Sequence, residues 1–413
     1  MRGKLPTLAL AAAVVMLTLS LVIYPKESLE AAKDGMNLFF TVVFPSLLPF
    51  FILSEMMLGL GVVHFIGVLF TPLMRPLFNV PGEGAFVLSM GLAAGFPMDA
   101  VITARFRRGN MCTRVEGERM LAFSNTADPL FIWGAVAVGM FGMPALGGTM
   151  ALAHYIAALL VGLTFRFYGL NETEYTPEPR REGSMLSRAV QALIRARRED
   201  GRPVGQMLGD AITDSVKTMA LICGYIILFS TIARMIDVSG VFPYLAAPFE
   251  SLFRLFGIDP ALVRAAVTGL LEVDLGTLAA SRATGAPLVQ QVAVAGAIIG
   301  WSGLSVHGQV ASVLTGTDIR MGPYVAARLL HAVLAFIATL VLLPTARIPG
   351  LGMARVLPAL GGLPDGLWRV SFLDYLVRGA GWSLAVPLGL ALVGVTAAAL
   401  TGGLRWAYFY ARR

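Results

Sequence analysis

The stretch GWSGLSVHGQV, residues 300–310, sets two serines, a histidine, a glutamine and three glycines inside strongly apolar text. Ser302, Ser305 and Gln309 fall at i, i+3 and i+7, the spacing that lines one face of a helix, while His307 points elsewhere. Gly303 and Gly308 leave room for a close backbone or ligand approach. Such a group offers hydrogen bonds to a small polar solute; His307 can bind that solute, carry a proton or pair with a neighbouring helix. Small and polar residues also serve as packing contacts between membrane helices.

Two further clusters carry polar chemistry. FSNTADP supplies Ser124, Asn125, Thr126 and Asp128, of which Ser or Asn can cap a helix starting near Pro129. A half-helix beginning inside a bilayer would present free N–H groups and a positive dipole end to an anion. In GLLEVDLG, Glu272 and Asp274 stand about 200° apart on a regular helix, so they share a site only if the segment unwinds. Glu272 is the stronger candidate for a cavity lining, the alternative being a solvated interfacial position. Glu55, among apolar residues, reads as marking a helix end.

GWSG also has the form of an intramembrane serine protease motif, with Ser302 as nucleophile and His331 as base. Four Gly- and Ser-rich residues arise easily, and the reading is disfavoured; no catalytic residue is assigned. Metal-binding, Walker and dinucleotide patterns are absent from the sequence, and Cys112 and Cys223 have no C-x-x-C spacing. No metal or cofactor is therefore expected, and any transport would draw on a gradient.

The elements that must position these residues are membrane helices. The 413-residue chain is 56% hydrophobic and 14% charged, with mean hydropathy +0.74, against about 25% charged in soluble domains. Residues 8–24 are uncharged and follow Arg2 and Lys4, the pattern of a retained anchor helix with its N-terminus in the cytoplasm. Further spans are expected in residues 36–61, 148–165, 219–233, 329–344 and 382–403. Apolar pieces cut by Gly and Pro lie between them, tolerable in a bilayer only where protein or a wet cavity satisfies the backbone. A net charge of +7 and a pI of about 9.6 come from scattered arginines, which fits topology better than nucleic-acid binding.

One polar segment, residues 171–202, holds seven arginines and is expected to be cytoplasmic. Its apolar residues Met185, Leu186, Ala189, Val190, Leu193 and Ile194 recur at helical spacing, the pattern of a surface-lying amphipathic helix or an ordinary connecting helix. Its NET triplet matches a glycosylation sequon without meaning on that side. On either side the halves look related: Gly91 answers Gly269 and Ser124 answers Ser302, and 269 − 91 and 302 − 124 are both 178. Internal symmetry with matching interruptions is how inverted-repeat transporters show themselves. The expected fold is therefore an all-α polytopic transmembrane bundle with two inverted repeats containing broken or re-entrant helices. Its divisions are an anchor helix and loop (1–35), repeat 1 (36–144), a transmembrane helix with the basic loop (145–212), repeat 2 (213–322) and C-terminal transmembrane helices (323–413).

The residues from VVFPSLLPFF to NVPG, with GFPMDAVITARFRRG, FSNTADPLFIWGAV and WSGLSVHGQVASVL, closely resemble the sporulation integral membrane protein family YlbJ, also called SpoVV. The resemblance runs over nearly the whole chain. It implies two nucleoside-recognition, or Gate, domains similar to the core of concentrative nucleoside transporters. It also implies a role in endospore cortex formation, with dipicolinic acid delivered across the outer forespore membrane. Where the family carries a GYPAGAK-like form, this chain has Met98 and Asp99, and Asp99 on the path would disfavour an anion. A substrate site of Ser124, Asn125, Glu272, Ser302, Ser305, His307 and Gln309 is expected, taking a small anionic aromatic carboxylate. Other readings are a nucleoside-type solute or a nonconducting scaffold or gating partner of another channel. Expected partners are the lipid bilayer and no nucleic acid, with a homo-oligomer or other sporulation membrane proteins as further possibilities.

Overall fold

A computed structural model describes residues 4–170, 176 and 184–345, and among these the regular structure is entirely helical. The expected span at 382–403 and most of the 171–183 loop lie outside the described residues. Apolar α1 (Lys4–Ile23) leaves Val14, Met16 and Val22 more than half exposed, as a lipid-facing helix does. It turns by 103° at Tyr24 into α2 (Pro25–Leu38) and a π-helical continuation (Phe39–Val43). A second bent pair, at 74°, joins α3 (Phe44–Gly59) to α4 (Val62–Leu73) and its π-helical end (Met74–Phe78). Glu55 sits one turn before the end of α3, as expected.

The next elements are short. α5 (Gly84–Ala94) and α6 (Met98–Arg108) have 11 residues each, about 16 Å of helix, half a hydrocarbon core. They meet at Gly95, φ 64°, and a cis Phe96–Pro97 bond. α7 (Arg114–Ser124) begins at a capping box, with Thr113 Oγ1 accepting from the Glu116 N–H and Glu116 Oε2 from the Thr113 N–H. It stops at Ser124, and after residues 125–128 the chain resumes toward a π-helical segment (Phe131–Met140) and α8 (Leu146–Phe165).

α9 (Met185–Asp200) packs its small residues Ala189 and Ala196 inward and leaves Leu186, Val190 and Ile194 exposed beside arginines. α10 (Val204–Val238) runs for 35 residues, about 52 Å and longer than the membrane core needs. After α11 (Phe242–Phe256) the interrupted pattern returns. α12 (Val263–Leu271) and α13 (Val273–Arg282) form a hairpin broken at Glu272, whose backbone is extended. α14 (Leu288–Trp301) and α15 (Gly303–Leu314) are interrupted at Ser302, and α16 (Met321–Thr345) follows.

The order of elements from α4 to α8 thus repeats from α11 to α16: a helix, a short hairpin, an interrupted helix, a full-length helix. Four segments are long and apolar enough to cross a bilayer, Leu146–Phe165, Val204–Val238, Leu288–Leu314 and Met321–Leu343, and the two bent pairs bring the number among the described residues to six. α8, α14 and α16 pack on one another and carry much of the buried core, including Leu146, Val292 and Ala335.

Candidate functional site

In each half, the hairpin tip touches the interruption of the following helix, and small residues make that approach possible. A Cβ on Gly91 would overlap the Ser124 carbonyl oxygen. A Cβ on Gly303 would sit 3.0 Å from Glu272 Cα, at a residue whose φ of 74° already favours glycine.

At the first junction, Asp99 is fully buried at the second position of α6: Oδ1 accepts from Asn125 Nδ2 (3.0 Å), and Oδ2 lies 3.2 Å from Ser124 Oγ, whose one proton is shared with the Met120 carbonyl at 2.7 Å. Asp128 caps the resumed helix, its Oδ1 accepting from the N–H groups of Leu130 and Phe131, both at 2.9 Å. The expected cap of Ser124 or Asn125 is corrected accordingly. Asp128 stands two residues before the first free N–H, whereas Ser124 and Asn125 close α7 and turn to Asp99.

At the second junction, Glu272 is itself the cap. Its Oε2 accepts from the Leu275 N–H (2.9 Å) and its Oε1 from Ser305 Oγ (3.3 Å). Asp274, at the second position of α13 as Asp99 is of α6, is 5% exposed, and its Oδ1 has no hydrogen-bond partner. Ser302 does not share a helical face with Ser305 and Gln309. It is the interruption, held at φ 68°, with Oγ donating to the Trp301 carbonyl (2.5 Å). His307 stacks near Trp301 (centroids 4.2 Å apart) and donates from Nδ1 to the Gly303 carbonyl (2.8 Å).

α16 ties the two junctions together. Tyr324 donates to Asn125 Oδ1 (3.1 Å), and its ring lies against His307 (centroids 5.0 Å apart), so one phenol touches both junctions. Arg328, wholly buried, donates to the carbonyls of Asn125 and Ala122 at the C-terminal end of α7, where a cation is favoured by the helix dipole. It also donates to His331 Nδ1 (2.9 Å), which leaves His331 Nε2–H for the His154 carbonyl (3.0 Å). His154 Nε2 in turn accepts from the Ala127 N–H (3.1 Å). Both nitrogens of His331 are therefore engaged, with Arg328 and the His154 carbonyl, and neither bonds to Ser302.

Between the junctions lies a cavity of about 50 Å³. Asp128, Glu272, Asp274 and Gln309 form its polar lining; aromatic residues Phe51, Phe96, Phe131 and Tyr225 form much of the rest. A larger groove of about 400 Å³ runs along α9 beside Arg195 and Arg198, on the outer surface and with no residue from either junction. Volume alone would favour that groove; the convergence of interrupted helices favours the smaller cavity.

Of the expected site residues, Glu272 and Gln309 line the cavity and Ser305 supports Glu272. Ser124 and Asn125 lie behind it on Asp99, while Ser302 and His307 face the α16 side. A Cβ on Gly308 would meet no neighbouring atom within 4 Å, so of the two glycines only Gly303 serves a close approach. Sequence reasoning missed Arg328 and Tyr324. An arginine in the uncharged run of α16 was the available signal, since an ionisable residue at membrane depth is by default functional.

The sequence pattern of the nucleoside-recognition (Gate) family matches residues 40–168, which span the first junction. No solved structure matches the chain. The sporulation integral membrane protein YlbJ of Bacillus subtilis (strain 168) is 43% identical over 344 residues, covering 82% of this chain and 83% of the relative. With that identity over that length, the chain belongs to the YlbJ family of sporulation integral membrane proteins.

Proposed function

We propose that the protein is a transporter that moves dipicolinic acid, a small aromatic carboxylate, across the outer forespore membrane during endospore formation. The observation that carries this reading is the meeting of two hairpin tips and two interrupted helices around one polar and aromatic cavity. The aromatic lining suits a planar ring, and Gln309 offers a hydrogen bond to a carboxylate. The cavity, at about 50 Å³, is far below the roughly 300–1,000 Å³ of ligand sites. Transport therefore requires the α12–α13 hairpin and α15 to part before the solute enters.

The expected attraction of helix N-termini for an anion is already met from within: Asp128 and Glu272 occupy those amides. A dicarboxylate must consequently enter with its charge compensated. The nucleoside-recognition match over residues 40–168 favours, as a second reading, an uncharged heteroaromatic solute such as a nucleoside. Uptake of labelled dipicolinate and of labelled nucleosides into vesicles containing only this protein tests both. The expected result is dipicolinate uptake above empty vesicles, reduced at least tenfold by Gln309→Leu. Nucleoside uptake without dipicolinate uptake would establish the second reading, and uptake of neither would overturn transport.

A further inference from the structure

We propose that Asp274, acting with Glu272, is a proton-binding site, and that a proton taken up there offsets the charge of the anion as it crosses; this rests on the transport reading above.

Three carboxyl groups surround the same small cavity, and they are not equivalent. Asp128 spends Oδ1 on two backbone amides, and Glu272 spends one oxygen on an amide and the other on Ser305. Both are fixed as helix caps, a role that rewards the ionised form. Asp274 has no such support. It is buried, lines the cavity, and its Oδ1 meets no donor. No Lys, Arg or His forms an ion pair with any of the three among the described residues.

The elements packed against α13 offer little relief. α14 and the Phe131–Met140 segment carry no titratable side chain; α12 contributes only Arg264, engaged with Asp237 on α10. α10 brings Tyr225 to the cavity, and His307 of α15 is turned toward Trp301 and Tyr324. An ionised Asp274 would thus face two fixed carboxylates across a small cavity walled largely by aromatic and aliphatic side chains, a strongly unfavourable arrangement by the general rule for uncompensated buried charge. A proton removes that cost and gives Asp274 an O–H to donate across the cavity. A transition-metal cation is the weaker solution, because no group of three or more His, Cys, Asp or Glu side chains converges at metal-binding distance among the described residues; the sodium arm below tests an alkali cation. The step balances simply: one proton leaves water and bonds to a carboxylate oxygen, and the neutral acid later returns it on the other side.

Infrared difference spectroscopy on the purified full-length protein, stepped between acid and alkaline pH, reads the proton directly as the carbonyl stretch of a protonated carboxyl. The band should shift when isotope-labelled aspartate is incorporated, and should be lost in Asp274→Asn and altered in Glu272→Gln. The wild-type labelling arm needs no variant to fold. A band insensitive to aspartate labelling, or one abolished by sodium at constant pH, would overturn the proposal. In vesicles, an acidic exterior should speed dipicolinate entry in the wild type, with that acceleration lost in Asp274→Asn; equal acceleration in the variant would overturn the coupling. An aspartate band lost in Asp274→Asn, in a protein that moves no dipicolinate, would sink the substrate reading while leaving the proton site standing.

Discussion

Asp99 and Asp274 hold the same position, second in the returning helix of each hairpin, yet their surroundings are opposite. Asp99 receives hydrogen bonds from Ser124 and Asn125, and Asn125 is itself gripped by Tyr324 and Arg328. Asp274 receives none on Oδ1 and opens on the cavity. A near-repeated backbone has been used once as a lock and once as a place where charge is left unresolved. The locked junction gives the open one a fixed frame, since α16 reaches across to hold the end of α7.

The sharpest way to break this comparison is to remove the lock. Arg328→Met should destabilise the protein by about 2–6 kcal/mol, from about 1–3 for each stranded carbonyl, seen as a large fall in Tm of the purified protein; a small change would mean that Arg328 is not what holds the first junction. Next in size are the close approaches. Gly91→Ala and Gly303→Ala should each cost about 1–3 kcal/mol or more through overpacking, whereas Gly308→Ala, in open space on α15, should stabilise by about 0.5–1 kcal/mol. Thermal unfolding of the three variants side by side would show whether the junctions, rather than glycine content, set the cost.

The carboxylates themselves give a subtler contrast. Asp99→Ala strands Asn125 Nδ2, an expected loss of about 1–3 kcal/mol, while Asp274→Asn should leave Tm unchanged or raised. Equal losses at both positions would erase the asymmetry. The smallest effect concerns Cys112, in the turn leading into α7. Burial, followed by the nearby Glu116 carboxylate, pushes its thiol up to about 12, so maleimide labelling at neutral pH should be slow until the protein unfolds. Rapid labelling of Cys112 in the native Cys223→Ala protein, which lacks the part-exposed second thiol, would show that the first half opens where the packing implies it is shut.

Much of this arrangement is legible in residue order. Uncharged runs locate the spans of α8, α10 and α16 but miss Leu288–Leu314, whose polar residues 300–309 interrupt the apolar text; the 178-position echo locates the interruptions, and polar residues among apolar ones pick out Glu272 and Gln309. Other assignments fail for local reasons. The i, i+3, i+7 spacing puts Ser302 on a helical face only along an unbroken helix, and Ser302 is the break. Ser124 and Asn125 are suited by type to cap the resumed helix, but the carboxylate of Asp128, nearer the free amides, takes that role. Arg328 escapes recognition because its partners lie more than 200 positions earlier in the chain.

Composition and periodicity determined by themselves that this chain is a helical membrane protein with two sets of interrupted helices, because an apolar solvent forces every backbone amide into helix, protein contact or cavity. Tertiary structure alone decided which interruption would be sealed. Whether a buried carboxylate is answered by a hydroxyl, an amide or nothing depends on which distant helix comes to rest against it, and neither spacing nor hydropathy records that contact.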